Sequence, residues 1–186
     1  WSDLSGRANN ATLVNMATST AWKGSSLLLD GTNDYVSLTG TPTTAYTLGI
    51  SFTVRNAGFT AYAAEVICDF EGGGRGIELV DKTIFNFQIN IEGVGYLKVQ
   101  GNYAQDVRLT CIMSYDGTST RCYVDGVLLG TIPGKLKASG YPLTIGANPN
   151  PSSYDAFCNM EVFNYAYYDR ALTEDAISQL NAYLST

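Results

Sequence analysis

The chain contains no histidine. That removes the commonest general base and the commonest transition-metal ligand together. Neither a Ser-His-Asp nor a Cys-His mechanism can be assembled from its 186 residues. Its four cysteines stand singly at 68, 111, 122 and 158, with no Cys-x-x-Cys pair on which to found a zinc site. Positive charge is scarce as well: 11 Lys and Arg face 17 Asp and Glu, a net charge of −6. Nucleic acid and anionic membranes select a basic surface, so neither is an expected partner. No apolar run approaches the ~20 residues of a membrane span, so membrane insertion is not expected. Gly72-Gly73-Gly74-Arg75-Gly76 lacks the Gly-Lys-Ser/Thr ending of a phosphate loop and reads as a connection between strands.

What is present describes a folded, mostly β chain. Hydrophobic residues make up 45% and charged residues only 15%, a composition that buries a core. Short alternating segments are bounded by Gly, Pro, Asn or Asp: Ser26–Asp30, Tyr35–Leu38, Tyr46–Arg55, Ala64–Glu71, Gly76–Val80, Thr83–Glu92, Gly95–Gln100, Val107–Tyr115, Thr120–Val124, Leu128–Ile132, Tyr141–Gly146 and Asn159–Tyr168. Twelve such runs with turn signals between them predict an antiparallel two-sheet sandwich. Near the end the period changes. Leu172, Ala176, Ile177, Leu180 and Leu184 recur at helical spacing, Thr173 is placed to N-cap, and Glu174 and Asp175 suit the first turn. One helix over about 174–184 is expected, closing an open end or edge of the sandwich.

Two strands alternate strictly. Phe85, Phe87, Ile89 and Ile91 take one face of their strand, and Asn86, Gln88, Asn90 and Glu92 the other. Val107, Leu109, Cys111, Met113 and Tyr115 share one face of a later strand, and Arg108, Thr110, Ile112, Ser114 and Asp116 share the other. Period-two side chains make the apolar faces core and the polar faces outer surface.

Five segments resemble, in order, the laminin-G-like domains of the concanavalin A-like lectin/glucanase superfamily. They are Asp3-Leu4-Ser5-Gly6; Asp30-Gly31 with Asp34-Tyr35-Val36; Tyr115-Asp116-Gly117 with Tyr123-Val124-Asp125-Gly126; Leu143-Thr144-Ile145-Gly146; and Tyr168-Asp169-Arg170-Ala171-Leu172-Thr173. The resemblance spans nearly the whole chain and implies an all-β jelly roll with one short C-terminal helix. No internal repeat or linker divides the chain, so a single domain over 1–186 is expected, and the start at Trp1 without Met points to a module excised from a larger protein. Two positions depart from it. Arg108 stands where a Trp usually opens its strand, which puts a core anchor in doubt, and Met160 stands where a glycine usually precedes the last strands.

The resemblance also implies where to look for function. Lectins of this fold bind sugars on the concave sheet or at its rim. The amides Asn86, Gln88 and Asn90 would offer paired donors and acceptors to sugar hydroxyls. Tyr62, Tyr96, Tyr103 and Tyr154 fall in loop-like segments and are the candidate aromatic platforms. Relatives often hold calcium, and Asp30, Asn33 and Asp34 in one turn are the candidate ligands of a structural Ca2+. Glucanases of the fold carry Glu-x-Asp-x-x-Glu on one strand, and this chain has no such string. The expected function is therefore a non-catalytic glycan-binding module of a secreted, cell-surface or virion protein. The alternative is a structural, adhesion or decoration domain that binds a surface protein. The cysteines are expected as buried free thiols, with at most one bridge, Cys111–Cys122. Those two would lie directly opposite each other if Asp116-Gly117 formed a two-residue turn, and a longer loop would break that register.

Overall fold

The computed structural model describes residues 1–16, 21–39, 44–56, 64–68, 76–81, 86–91, 95–99, 106–135, 142–148 and 156–186. Among these residues the strands form two seven-stranded antiparallel sheets. Sheet one runs β1 (Thr12–Val14), β4 (Tyr35–Ser37), β13 (Thr144–Ile145), β6 (Ala64–Cys68), β7 (Gly76–Asp81), β8 (Asn86–Ile91) and β9 (Gly95–Val99). Sheet two runs β12 (Val127–Pro133), β11 (Ser119–Val124), β10 (Arg108–Tyr115), β5 (Tyr46–Asn56), β14 (Asn159–Tyr168), β3 (Ser26–Asp30) and β2 (Trp22–Lys23). A C-terminal helix, α1 (Glu174–Leu184), follows. The expected jelly-roll sandwich with a late helix is what the chain adopts. The short strands β1 and β2 were not legible in the alternation, and residues 83–85 and 69–71 of two expected strands lie outside the described residues.

The core fills the space between the sheets. Leu27, Leu29, Val36, Tyr46, Leu48, Ile50, Phe52, Ile77, Met113, Ile145, Met160 and Val162 are all fully buried there. Leu109, Cys111 and Tyr115 join Met113 on the inner face of β10, as alternation requires. Val107 does not: it precedes the strand and is 46% exposed. Met160, in place of the family's glycine, enters the core opposite Leu29 and Val54.

The helix is not at an end or edge. It lies on the outer face of sheet two, where Ile177, Leu180 and Leu184 form a second buried cluster with Ile112, Tyr123 and Leu172. The face Arg108–Thr110–Ile112–Ser114, expected to be outer surface, is therefore covered. Thr110, Ile112 and Ser114 are buried, and Ile112 is the residue on that face that most needs cover. Gly49 makes this docking possible. A Cβ there would meet Leu184 Cδ1 at 2.7 Å and Leu180 Cδ2 at 3.4 Å. Thr173 caps the helix, its hydroxyl oxygen accepting the Ala176 N–H at 3.3 Å.

Arg108 does here what no Trp could do. Its Nε donates to Ser51 Oγ at 2.7 Å, a terminal nitrogen donates to the Leu184 carbonyl at 2.8 Å, and the guanidinium sits 4.1 Å above the Phe163 ring. The carbonyl belongs to the last turn of α1, where the helix dipole favours a cation.

The hairpin β10–β11 turns through residues 116–119, because Tyr115 pairs with Thr120. Asp116 accepts the N–H groups of Thr118 and Ser119 within that loop. Cys111 is then opposite Val124, and Cys122 opposite Met113, so the two cysteines are diagonal neighbours instead of facing partners. Cys111, Cys122 and Cys158 are free and buried. Burial pushes the Cys122 thiol up to about 12 and raises that of Cys111 as well.

Two outcomes follow from this packing. Gly49→Val should lower stability by about 1–3 kcal/mol through overpacking, read by urea unfolding. A variant as stable as the wild type would mean that α1 is not seated on β5. A thiol reagent followed by peptide mapping should leave Cys111, Cys122 and Cys158 unlabelled in native buffer and label all three in denaturant. Fast native labelling of any of them would contradict their burial.

Candidate functional site

The outer face of sheet two is occupied. Besides α1, a polar cluster covers its β3 side: Ser26 donates its hydroxyl proton to Glu161, Arg55 pairs with the same carboxylate, and Arg55 also reaches Asp106 at 3.2 Å. Ser26, Thr53 and Glu161 are buried by these contacts. The amide positions Asn86, Gln88 and Asn90 lie on β8 of sheet one, and the register of β6–β9 fixes which positions stand across from them.

Gln88 stands directly across from Glu78 on one side and Lys98 on the other. Glu78 is in turn across from Glu65. One row of positions therefore reads Glu65, Glu78, Gln88, Lys98. The next row reads Gly76, Asn90, Tyr96. Asn86 is across from Asp81, beyond a bulge between Leu79 and Asp81. Directly opposed residues share a sheet face with Cβ atoms about 4.5–5.5 Å apart. Ile77, fully buried in the core, stands across from Ile89, and Ile89 across from Leu97. Glu78 follows Ile77 and so faces outward, yet only 3% of it is exposed. The middle of this face is sheltered.

Asn86, Gln88 and Asn90 are alternate positions of β8, and the register sets Tyr96 across from Asn90. Tyr96 is not in a loop but is the second residue of β9, level with Asn90. Tyr62, Tyr103 and Tyr154 lie outside the described residues. Sequence reasoning missed Glu65, Glu78, Asp81 and Lys98 as neighbours of the stripe. The register opposes Glu78 to Glu65.

The turn between β3 and β4 holds the candidate metal ligands. Asp30 Oδ1 accepts the N–H groups of Thr32 (2.7 Å) and Asn33 (3.3 Å), and Asp34 Oδ2 accepts the N–H of Asp30 (3.2 Å). The Asn33 carbonyl accepts from the Asn15 side chain at 2.9 Å. Gly31, at φ +75°, lets the turn pass the Asn159 backbone, whose N would lie 2.8 Å from an added Cβ. Calcium takes about six to eight oxygen ligands, and among the described residues no group of three or more acidic side chains gathers. These oxygens fit a turn better than they fit a calcium cage. Burial, and then the charge of Asp30, raise the Asp34 carboxyl above its ordinary 3.8.

Two antiparallel sheets face to face, with a polar row on one outer face and a helix on the other, define a lectin-like β-sandwich. Residues 30–178 match the laminin-G-like family described as the concanavalin A-like lectin/glucanases superfamily, and the chain belongs to it. No curated protein matches the chain. Among solved structures it is similar to the Trypanosoma rangeli sialidase in complex with sialic acid, with TM-score 0.72 and 15% identity over 94% of this chain but 30% of the sialidase. A mutant of that sialidase displaying trans-sialidase activity aligns with TM-score 0.71 at 15% identity, over 94% of this chain and 30% of that one. The botulinum neurotoxin serotype D binding domain aligns with TM-score 0.64 at 11% identity, over 97% of this chain and 48% of that one. The chain thus spans less than half of each, and at such identities the likeness is one of fold.

Asp34 gives a test with a definite sign. A carboxyl whose folded-state pKa is raised stabilises the fold below its unfolded value, and that contribution is lost as pH rises through the folded value. The ionised form thus costs stability at neutral pH. Asp34→Asn, whose amide oxygen can still accept the Asp30 N–H, should raise the melting temperature at neutral pH. The gain should vanish as pH falls below the ordinary 3.8. A lower neutral melting temperature, restored in neither protein by chelator, would refute the repulsion. Calcium-dependent stabilisation of the wild type alone would instead install a metal at this turn.

Proposed function

We propose that the chain is a non-catalytic glycan-binding module of a secreted, cell-surface or virion protein, with its site on the outer face of β7, β8 and β9. The observation that carries this reading is the register of β8 and β9, which sets Tyr96 across from Asn90 and one row from Gln88. An aromatic beside amides on a stiff sheet supplies what a sugar needs: a flat surface for its C–H face and paired donors and acceptors for its hydroxyls. The family supports it, as does the fold likeness to a toxin binding domain. Glu65, Glu78 and Asp81 outnumber Lys98 on these rows, which favours an uncharged saccharide over an acidic one.

Binding without turnover is the reading for the carboxylates too. Glu65 and Glu78 oppose each other across two strands, and the run of Glu, Asp and Glu along one strand that the glucanases use is missing from the sequence. A few net hydrogen bonds of about 0.5–1.5 kcal/mol each give affinities in the millimolar to micromolar range, about −4 to −8 kcal/mol. A neutral glycan panel should therefore yield a weak ligand. Tyr96→Ala and Gln88→Ala should weaken it with the melting curve unchanged, and no reducing sugar should be released. Release that disappears in Glu78→Gln would make the chain a glycosidase. No binding across the panel would favour adhesion to a surface protein.

A further inference from the structure

A second site emerges where β14 runs into α1. Tyr168, Arg170 and Leu172 form one wall of a groove of about 230 Å3, and Ala176, Gln179, Leu180 and Tyr183 form the other. The helical four are spaced i, i+3, i+4 and i+7, one face of α1. Ala176, the small residue among them, leaves the space that a longer side chain would fill. Tyr183 is 56% exposed and stands at the rim.

Charge makes this groove specific. Asp169 is paired with Arg7 at 3.0 Å, and Glu174 is held by Arg121 and, at 3.0 Å, by the Tyr123 hydroxyl. Both carboxylates thus make their ion pairs with other arginines, although Asp169 also feels the Arg170 charge. Among the described residues the Arg170 guanidinium forms no ion pair, and its one contact is with the Tyr168 ring, 5.9 Å from its centroid. Asp175 precedes Ala176 but does not line the groove. A free guanidinium, two phenol rings and a primary amide converge on a space the size of one sugar ring.

We propose that this groove binds an acidic pyranose, a uronate. Its carboxylate would take the fork of Arg170, its C–H face would lie against Tyr183, and a hydroxyl would meet the Gln179 amide. The site is separate from the outer face of sheet one and of opposite selectivity, so neither stands or falls with the other.

The test titrates the labelled protein with methyl β-glucuronide, methyl β-glucoside and acetate, following backbone NMR signals. The glucuronide should perturb Arg170, Gln179 and Tyr183, and the glucoside and acetate should do so more weakly. Arg170→Gln should weaken the glucuronide by about tenfold or more, the loss expected for charge-assisted hydrogen bonds, and leave the glucoside unchanged. Tyr183→Ala should weaken both sugars. Any one of four results overturns the proposal: glucuronide affinity unchanged in Arg170→Gln, equal affinity for glucoside, equal perturbation by acetate, or no response to glucuronide. Shifts confined to β8 and β9 would overturn it too, while leaving the sheet site intact.

Discussion

The structure depends on β5 being buried on both faces. Tyr46, Leu48, Ile50, Phe52 and Val54 enter the core, while Thr47, Ser51 and Thr53 are just as deeply buried on the other side. A strand covered twice must satisfy its polar side chains within the protein. Thr47 does so three ways: its hydroxyl lies 2.9 Å from Ser114 Oγ, donates to the Arg170 carbonyl at 3.0 Å and accepts the Leu172 N–H at 3.0 Å. Those bonds fix the segment that leads into α1. Gly49 then gives the helix room, and Arg108 holds its far end through Ser51 and the Leu184 carbonyl.

Seen this way, Arg108 is part of the helix docking. A Trp at that position would add apolar area. The arginine instead closes a polar gap between Ser51 and the end of α1 and lays its apolar stem and planar head along Phe163. Burial lowers its pKa from the ordinary arginine value. The bulge in β14 between Val162 and Asn164 serves the same end. Met160 and Val162 point into the core before it, and Ala166 and Tyr168 pack beneath the helix after it.

The fold was legible because its cues are local. Period-two alternation marked the inner face of β10, and Thr173 with Leu172, Ile177, Leu180 and Leu184 marked the helix. The aspartates of the family segments were legible as turn formers, and Asp116 and Asp30 each accept backbone N–H groups in their loops. Cover was not legible. Alternation says which residues share a face but not what lies on that face. A polar strand face with one isoleucine, Ile112, was read as surface when that isoleucine was the mark of a docked helix. Pairing was not legible either. Glu65 and Glu78 are 13 positions apart in sequence and adjacent in space only because β6 and β7 pair in one register.

That asymmetry bears on function. With α1 and the Ser26–Glu161–Arg55 cluster on sheet two, the proposed glycan site falls on sheet one. A stiff sheet anchored in the core by Ile77 is a good support for weak, geometry-dependent contacts, because its side chains lose little further freedom on binding. The same docking that closes one face creates the groove at its border, where Arg170 forms no ion pair among the described residues. One helix on one sheet thus divides the surface into an acidic polar face and a cationic, aromatic groove. These are two chemistries on one sandwich, and ligands of opposite charge would tell them apart.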